Sequence, residues 1–139
     1  MREIDPKIFG PGTWSVIHVL GIVCDESGKI DDYKFYALFV HRVLHALPCG
    51  NCRKHSVRYL NKNPLPKTPT AGPLFDWSVK FHNAVNTRLK KSKMSLEDAR
   101  VCYSNTEIVL VNPEKTSMCT IGLGLPSSGE SSGCEDGAL

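Results

Sequence analysis

Between Asp31 and Leu47 the apolar residues Tyr36, Phe39, Val40, Val43, Leu44 and Leu47 recur at the i, i+3, i+4, i+7 spacing of one helix face. A strand would throw alternate members of this set into water, so the segment is expected to be helical, with one wall buried. Asp31 or Asp32 can cap its start, and Pro48 ends it while being able to open the next helix. One amphipathic helix cannot bury its own stripe, so the rest of the chain must supply partners.

The flanking sequence supplies them as helices. A first helix is expected over about Thr13–Val23, after the Gly10-Pro11-Gly12 breaker, with Trp14, Ile17, Val19, Leu20 and Val23 as its apolar surface. A third carries Cys49, Cys52, His55, Val57 and Tyr59 and ends in Asn61-Lys62-Asn63-Pro64. Prolines at 64, 66, 69 and 73 exclude a helix from residues 61–73. A fourth helix is expected over Leu74–Lys91. A short fifth starts at Ser95, where Ser95-Leu96-Glu97-Asp98 reads as a capping box with Asp in place of Glu.

The fold class is therefore all-α, a small helical bundle. Residues 1–103 form the helical domain, and residues 104–139 are an irregular C-terminal extension. In that extension Glu107-Ile108-Val109-Leu110-Val111 has strand-like composition, and the Ser, Gly and acidic residues from Pro126 onward read as a flexible tail.

Composition narrows the function classes. A chain of 139 residues fits one domain with a core that needs no disulfides, and a net charge of +3 does not argue for nucleic acid. The basic clusters Arg53–Arg58 and Arg88–Lys93 read first as solvated helix faces. No apolar run approaches a membrane span, and Met1-Arg2-Glu3-Ile4-Asp5 does not open a secretory signal. The expected location is cytosolic. Six cysteines there would be reduced, so a CxxC is catalytic or metal-binding before it is structural.

The stretch Pro48-Cys49-Gly50-Asn51-Cys52 is thus the first place to look for chemistry. At a helix N-terminus its thiols meet the positive end of the dipole and unpaired backbone N–H groups, both of which favour thiolate. Arg53 and Lys54 add screened positive charge, and one helical turn brings the two sulfurs within reach of a disulfide. Zinc is the rival: Cys49, Cys52 and His55 supply three ligands, with His45 or His41 as a fourth. No second CxxC, CxxH or HxxxH follows downstream, which favours redox chemistry over a zinc-stabilised binding module.

The fourth helix adds Trp77, Phe81, His82, Asn83, Asn86 and Lys90 at three- and four-residue spacings on a broad face, with Lys91 beside them. Such a face suits a planar ligand with a polar rim and a phosphate tail, while a solvated face remains the simpler reading for each residue alone. Trp14 and His18, four apart on the first helix, could stack on and hydrogen-bond a heteroaromatic ring. Taken singly, each is by default a core residue.

In order, Trp14-x-x-x-His18, Pro48-Cys49-x-x-Cys52-x-x-His55, Trp77-x-x-x-x-His82-Asn83-x-Val85-Asn86 and Lys91 resemble the Erv/ALR family of FAD-linked sulfhydryl oxidases. The resemblance covers roughly residues 9–103, and CxxC followed about thirty residues later by HNxVN is its specific part. It resembles most the short forms found in large DNA viruses, which extends the expected location to host cytoplasm or a virion.

The resemblance implies a four-helix bundle with a short fifth helix cradling FAD, usually as a homodimer. It implies that the Cys49–Cys52 disulfide takes two electrons from protein thiols, or from a thioredoxin-like oxidoreductase, and passes them through FAD to oxygen as hydrogen peroxide. Cys49 would be attacked first, and Cys52 would lie against the flavin. Trp14, His18, His55, His82, Asn83 and Asn86 would hold the flavin and adenine portions. Lys91, with Arg88 and Lys90, would meet the pyrophosphate.

Three departures stand out. The family's cysteine three residues before the His-Asn pair is Val79 here, and its partner near Leu96 is also missing. The glycine that usually precedes the phosphate-binding lysine is Lys90. Cys119 and Cys134 are spaced too widely for a tight shuttle pair and are expected to be dispensable. Cys24 and Cys102 are expected to be buried free thiols.

Overall fold

A computed structural model describes residues 2–104. It contains five α-helices: α1 (Pro6–Ser27), α2 (Ile30–His45), α3 (Gly50–Lys62), α4 (Leu74–Arg88) and α5 (Leu96–Ser104), with a single 3-10 turn at Pro69–Ala71 before α4. Among the described residues there is no strand. Residues Glu107–Val111, the tail from Pro126, Cys119 and Cys134 lie outside them.

Helix α1 is the hub. It packs against α2, α4 and α5, while α2 packs on α3 and α4 on α5. It begins earlier than the breaker reading expected: Asp5 caps it by accepting from the Lys7 N–H, with Pro6 in the first turn. Pro11 lies inside it, where it forfeits one backbone bond near the N-terminus and leaves the helix unbroken. The helix ends at Gly28, whose φ of 61° is the left-handed cap that glycine adopts without strain.

At 22 residues α1 is also long and apolar enough to span a membrane by length and composition, which corrects the expectation that no such run exists. Here it serves as a core helix, burying Trp14, Ile17, His18, Gly21 and Cys24. Val16, Val19 and Val23 stay exposed.

Two contacts fix the crossing of α1 and α4. The Asp25 carboxylate accepts from the backbone N–H groups of Leu74 (2.8 Å) and Phe75 (2.9 Å), and from the Tyr33 hydroxyl. It therefore caps α4 from another helix, since Pro73 at the N-cap position offers no side-chain acceptor. At Gly21 a Cβ would stand 3.2 Å from the Phe75 backbone, so glycine is what permits the close approach.

Helix α2 starts at Ile30 on an extended Lys29, so neither Asp31 nor Asp32 is its N-cap; both lie in the first turn, where acid favours the helix dipole. At α5 the Ser95 hydroxyl accepts from the Asp98 N–H and donates to the Asp98 carboxylate, which is half of the expected box.

Candidate active site

Cys49 is the N-cap of α3, in extended conformation, and its sulfur accepts from the Cys52 N–H at 3.2 Å. The two residues form a disulfide with Cα atoms 5.2 Å apart. Cys52 is buried (5% exposed) and Cys49 half-buried, so the pair is asymmetric in access. Residues 3 and 4 cross this corner. The Glu3 carboxylate accepts from the Gly50 N–H through both oxygens (3.0 and 3.1 Å), and the Ile4 N–H donates to the Pro48 carbonyl at 2.7 Å. Arg53 closes the other side by donating to the Leu47 carbonyl.

Further along α3 a cleft of about 190 Å³ opens against α4. Tyr59, Phe81 and Val85 give it apolar walls, with His55, Arg58, Lys62 and Arg88 around them. The His55 imidazole is held below its ordinary value, first by desolvation and then by the charges of Arg88, Arg58 and Lys54. That repulsion reports a positive field, which suits an anionic ligand. One turn beyond Cys52 on the buried face, the Ser56 hydroxyl has no hydrogen-bond partner.

On the opposite side of α4 a second, water-sized cavity of about 10 Å³ is lined by His18, His82, Asn83, Asn86 and, from α5, Tyr103. Its wall is a directional relay. The Ser78 hydroxyl donates to the Phe75 carbonyl, so it accepts from Nδ1–H of His18 at 2.8 Å. Nε2 of His18 must then accept from Nδ1–H of His82 at 3.0 Å, and Nε2 of His82 is left as the acceptor end. Burial holds His18 down to about 3, with help from His82, and His82 down to about 4, with help from Lys91. Both rings are neutral at neutral pH.

The residues expected on one face of α4 thus divide between two cavities. Phe81 and Arg88 look toward α3; His82, Asn83 and Asn86 look toward α5. Trp14 (2% exposed) and His18 (1%) are core residues, and Trp14 lines neither cavity. Asn83 is committed to the backbone of Met94, donating to its carbonyl (2.7 Å) and accepting from its N–H (3.0 Å). Trp77 donates to the Asn63 carbonyl and pins the end of α3.

Helix α4 stops at Arg88, so Lys90 does not continue the Asn86 face; it is exposed, with φ of 59°. Lys91 follows, its N–H closing on the Asn86 carbonyl. Sequence reasoning missed Arg58 and Lys62, although their spacing of three and seven residues from His55 marks one helix face. Tyr103 carried no such signal.

Two cysteine expectations divide. Cys24 is a buried free thiol. Cys102 is half-buried and disulfide-bonded rather than free. The zinc alternative fails on its ligands: Cys49 and Cys52 are joined to each other, and His41 stacks on His45 with centroids 4.1 Å apart. Among the described residues no group of three or more His, Cys, Asp or Glu could hold a metal.

Fold and site define a small helical protein built around a redox-capable cysteine pair at a helix N-terminus, with a cation-rimmed aromatic cleft on the same helix. The sequence model of the Erv1/Alr family matches residues 11–104, and the chain belongs to that family. An African swine fever virus protein (isolate Warthog/Namibia/Wart80/1980) named FAD-linked sulfhydryl oxidase is 30% identical over 78% of this chain and 90% of its own length. Protein 096R of Invertebrate iridescent virus 3 is 28% identical over 67% of this chain and 64% of its own. The mitochondrial FAD-linked sulfhydryl oxidase of Saccharomyces cerevisiae is 25% identical over 66% and 50%. No solved structure matches significantly.

Proposed function

We propose that this chain is an FAD-dependent sulfhydryl oxidase that forms disulfides in protein thiols, with oxygen as the final acceptor. The observation that carries the reading is the Cys49–Cys52 disulfide capping α3, the helix that also forms one wall of the aromatic, cationic cleft. A substrate thiolate attacks the more accessible Cys49, the bond between Cys49 and Cys52 breaks, and Cys52 leaves as thiolate. A second substrate thiol then displaces Cys49. The substrate dithiol has lost two electrons and two protons, and the cysteine pair holds the electrons.

The residues present fit FAD. Tyr59, Phe81 and Val85 offer the apolar walls that a planar ring system needs, and Arg58, Lys62 and Arg88 offer charge for a pyrophosphate. Cys52 would lie at the flavin with His55 as a polar contact, and FAD would meet His82 and Asn86 by extending past α4 to the side that faces α5. Trp14 and His18 would act from behind by holding His82, Asn83 by fixing the Met94 loop, and Lys90 and Lys91 at the phosphate end. When bound, FAD accepts the electron pair and reduces oxygen to hydrogen peroxide.

Val16, Val19 and Val23 of α1 and Phe35 and Leu38 of α2 are exposed and apolar. A homodimer would use these exposed apolar side chains. The substrate would be a thiol protein or a thioredoxin-like oxidoreductase, met in the cytoplasm, or in a virion if the source is a virus. Stoichiometric peroxide release during dithiothreitol oxidation supports the activity; oxidation without peroxide would count against it.

A further inference from the structure

The oxidase reading assigns no part to residues 2–5, yet Glu3 and Ile4 hydrogen-bond directly to the redox corner. Glu3 spends both carboxylate oxygens on the Gly50 N–H, the first amide of α3 and the one next to Cys49. The Ile4 N–H bond to Pro48 holds the segment in register, and Gly50 leaves room, since a Cβ there would stand 3.2 Å from the Glu3 carboxylate. An exposed carboxylate could reach many donors; this one sits on the first amide of α3, at the positive end of the helix dipole that also favours a Cys49 thiolate.

We propose that Glu3 is a positioning residue that sets the thiolate character of Cys49 and, through it, the redox poise of the Cys49–Cys52 pair. The helix N-terminus favours an anion, and Glu3 already supplies one. It takes up the Gly50 N–H and sets a negative charge at the first amide of α3, next in the chain to Cys49, whose sulfur keeps the Cys52 N–H. Around the same corner stand Arg53, whose guanidinium reaches the Leu47 carbonyl and comes near Gly50, Lys54 and His55 on α3, and His45 at the end of α2. Glu3 is the acidic member of this set.

The consequence rests on the oxidase reading. In the second exchange step Cys49 is the leaving group: the mixed-disulfide bond breaks, Cys49 takes its electron pair as thiolate, and the substrate closes its own disulfide. A carboxylate beside Cys49 disfavours that anion and slows its departure. By linkage, a Cys49 thiolate repels Glu3, so reduction weakens the hold of the 2–5 segment on α3.

The test compares the wild type with Glu3→Gln, which keeps an acceptor for the Gly50 N–H and removes the charge. The reduced holoproteins are alkylated with iodoacetamide without air across a pH series, and Cys49 is read by peptide mass spectrometry. Glu3→Gln is expected to move the midpoint of the Cys49 profile to lower pH, making alkylation near neutral pH about 3- to 10-fold faster. Equilibration with glutathione is expected to shift toward the reduced pair by a similar factor. A change confined to the high-pH plateau means that the segment only restricts access, and overturns the proposal. An unchanged profile overturns it too. Neither readout requires oxidase turnover, so a protein that makes no peroxide would sink the oxidase reading without deciding this one.

Discussion

The imidazole of His82 lies flat on the indole of Trp14, with ring centroids 3.9 Å apart and planes 5° from parallel. Behind it the chain from His82 through His18 and Ser78 to the Phe75 carbonyl consumes each donor in turn. The stack makes Trp14, which looks like a ligand contact, a core residue, and the relay behind it commits both imidazoles to the neutral form. The unfolded chain binds protons at these histidines near 6.5, whereas the folded chain resists until about 4 for His82 and about 3 for His18. Stability therefore rises with pH through this window and falls as pH drops below about 6.5. Urea midpoints are expected to fall between pH 7 and pH 4.5 by the equivalent of a few kcal/mol. The loss should shrink markedly in His82→Gln.

At the α1–α4 crossing, Asp25→Ala strands the Leu74 and Phe75 amides and is expected to cost about 2–4 kcal/mol. Gly21→Ala drives a methyl group toward the Phe75 backbone, which cannot swing aside, and is expected to cost about 1–3 kcal/mol. Both changes act at the same turn, so the double variant should lose less than the sum of the singles. Chemical denaturation with a shared m-value measures all three.

Lys90 adopts φ of 59°, a left-handed conformation that glycine takes freely and a lysine does not. Lys90→Gly is expected to stabilise the protein by about 0.5–1 kcal/mol, read as a higher urea midpoint. An unchanged or lower midpoint would mean that the lysine side chain contributes more than its backbone costs.

Arg58 and Arg88 are the guanidinium groups beside the cleft. Arg88→Glu is expected to weaken FAD retention at least about tenfold while leaving the fold intact, with the deficit growing at low ionic strength. Fluorescence of flavin released on dialysis measures it, and full retention would remove Arg88 from the pyrophosphate site.

The helices were readable because periodicity and proline punctuation are local signals: Tyr36, Val40 and Leu44 are buried as their spacing requires, and α3 ends at Lys62, just ahead of Pro64. Pro48 likewise marked a helix start near Cys49, although it lies before the helix and not in its first turn: α3 begins at Gly50 with Cys49 as the N-cap. The division of His82 and Asn83 from Phe81 and Arg88 was not, because it depends on where α3 and α5 settle around α4. Asp25 capping α4 and Glu3 capping α3 span 49 and 47 residues, and no window of sequence reports such pairs. The start of α1 was missed for a different reason: Pro11 forfeits a single backbone bond near an N-terminus, and Asp5 with Pro6 outweighs it.

The central claim is that Cys49–Cys52 exchanges electrons with a bound flavin. The most direct measurement is the visible absorbance spectrum of the purified protein, before and after a dithiol is added without air, for the wild type and Cys52→Ser. The account predicts flavin bands in both proteins, bleaching by the dithiol and recovery in oxygen for the wild type, and no bleaching in Cys52→Ser. Normal bleaching in Cys52→Ser, or a wild type that stays colourless after incubation with FAD, would contradict it.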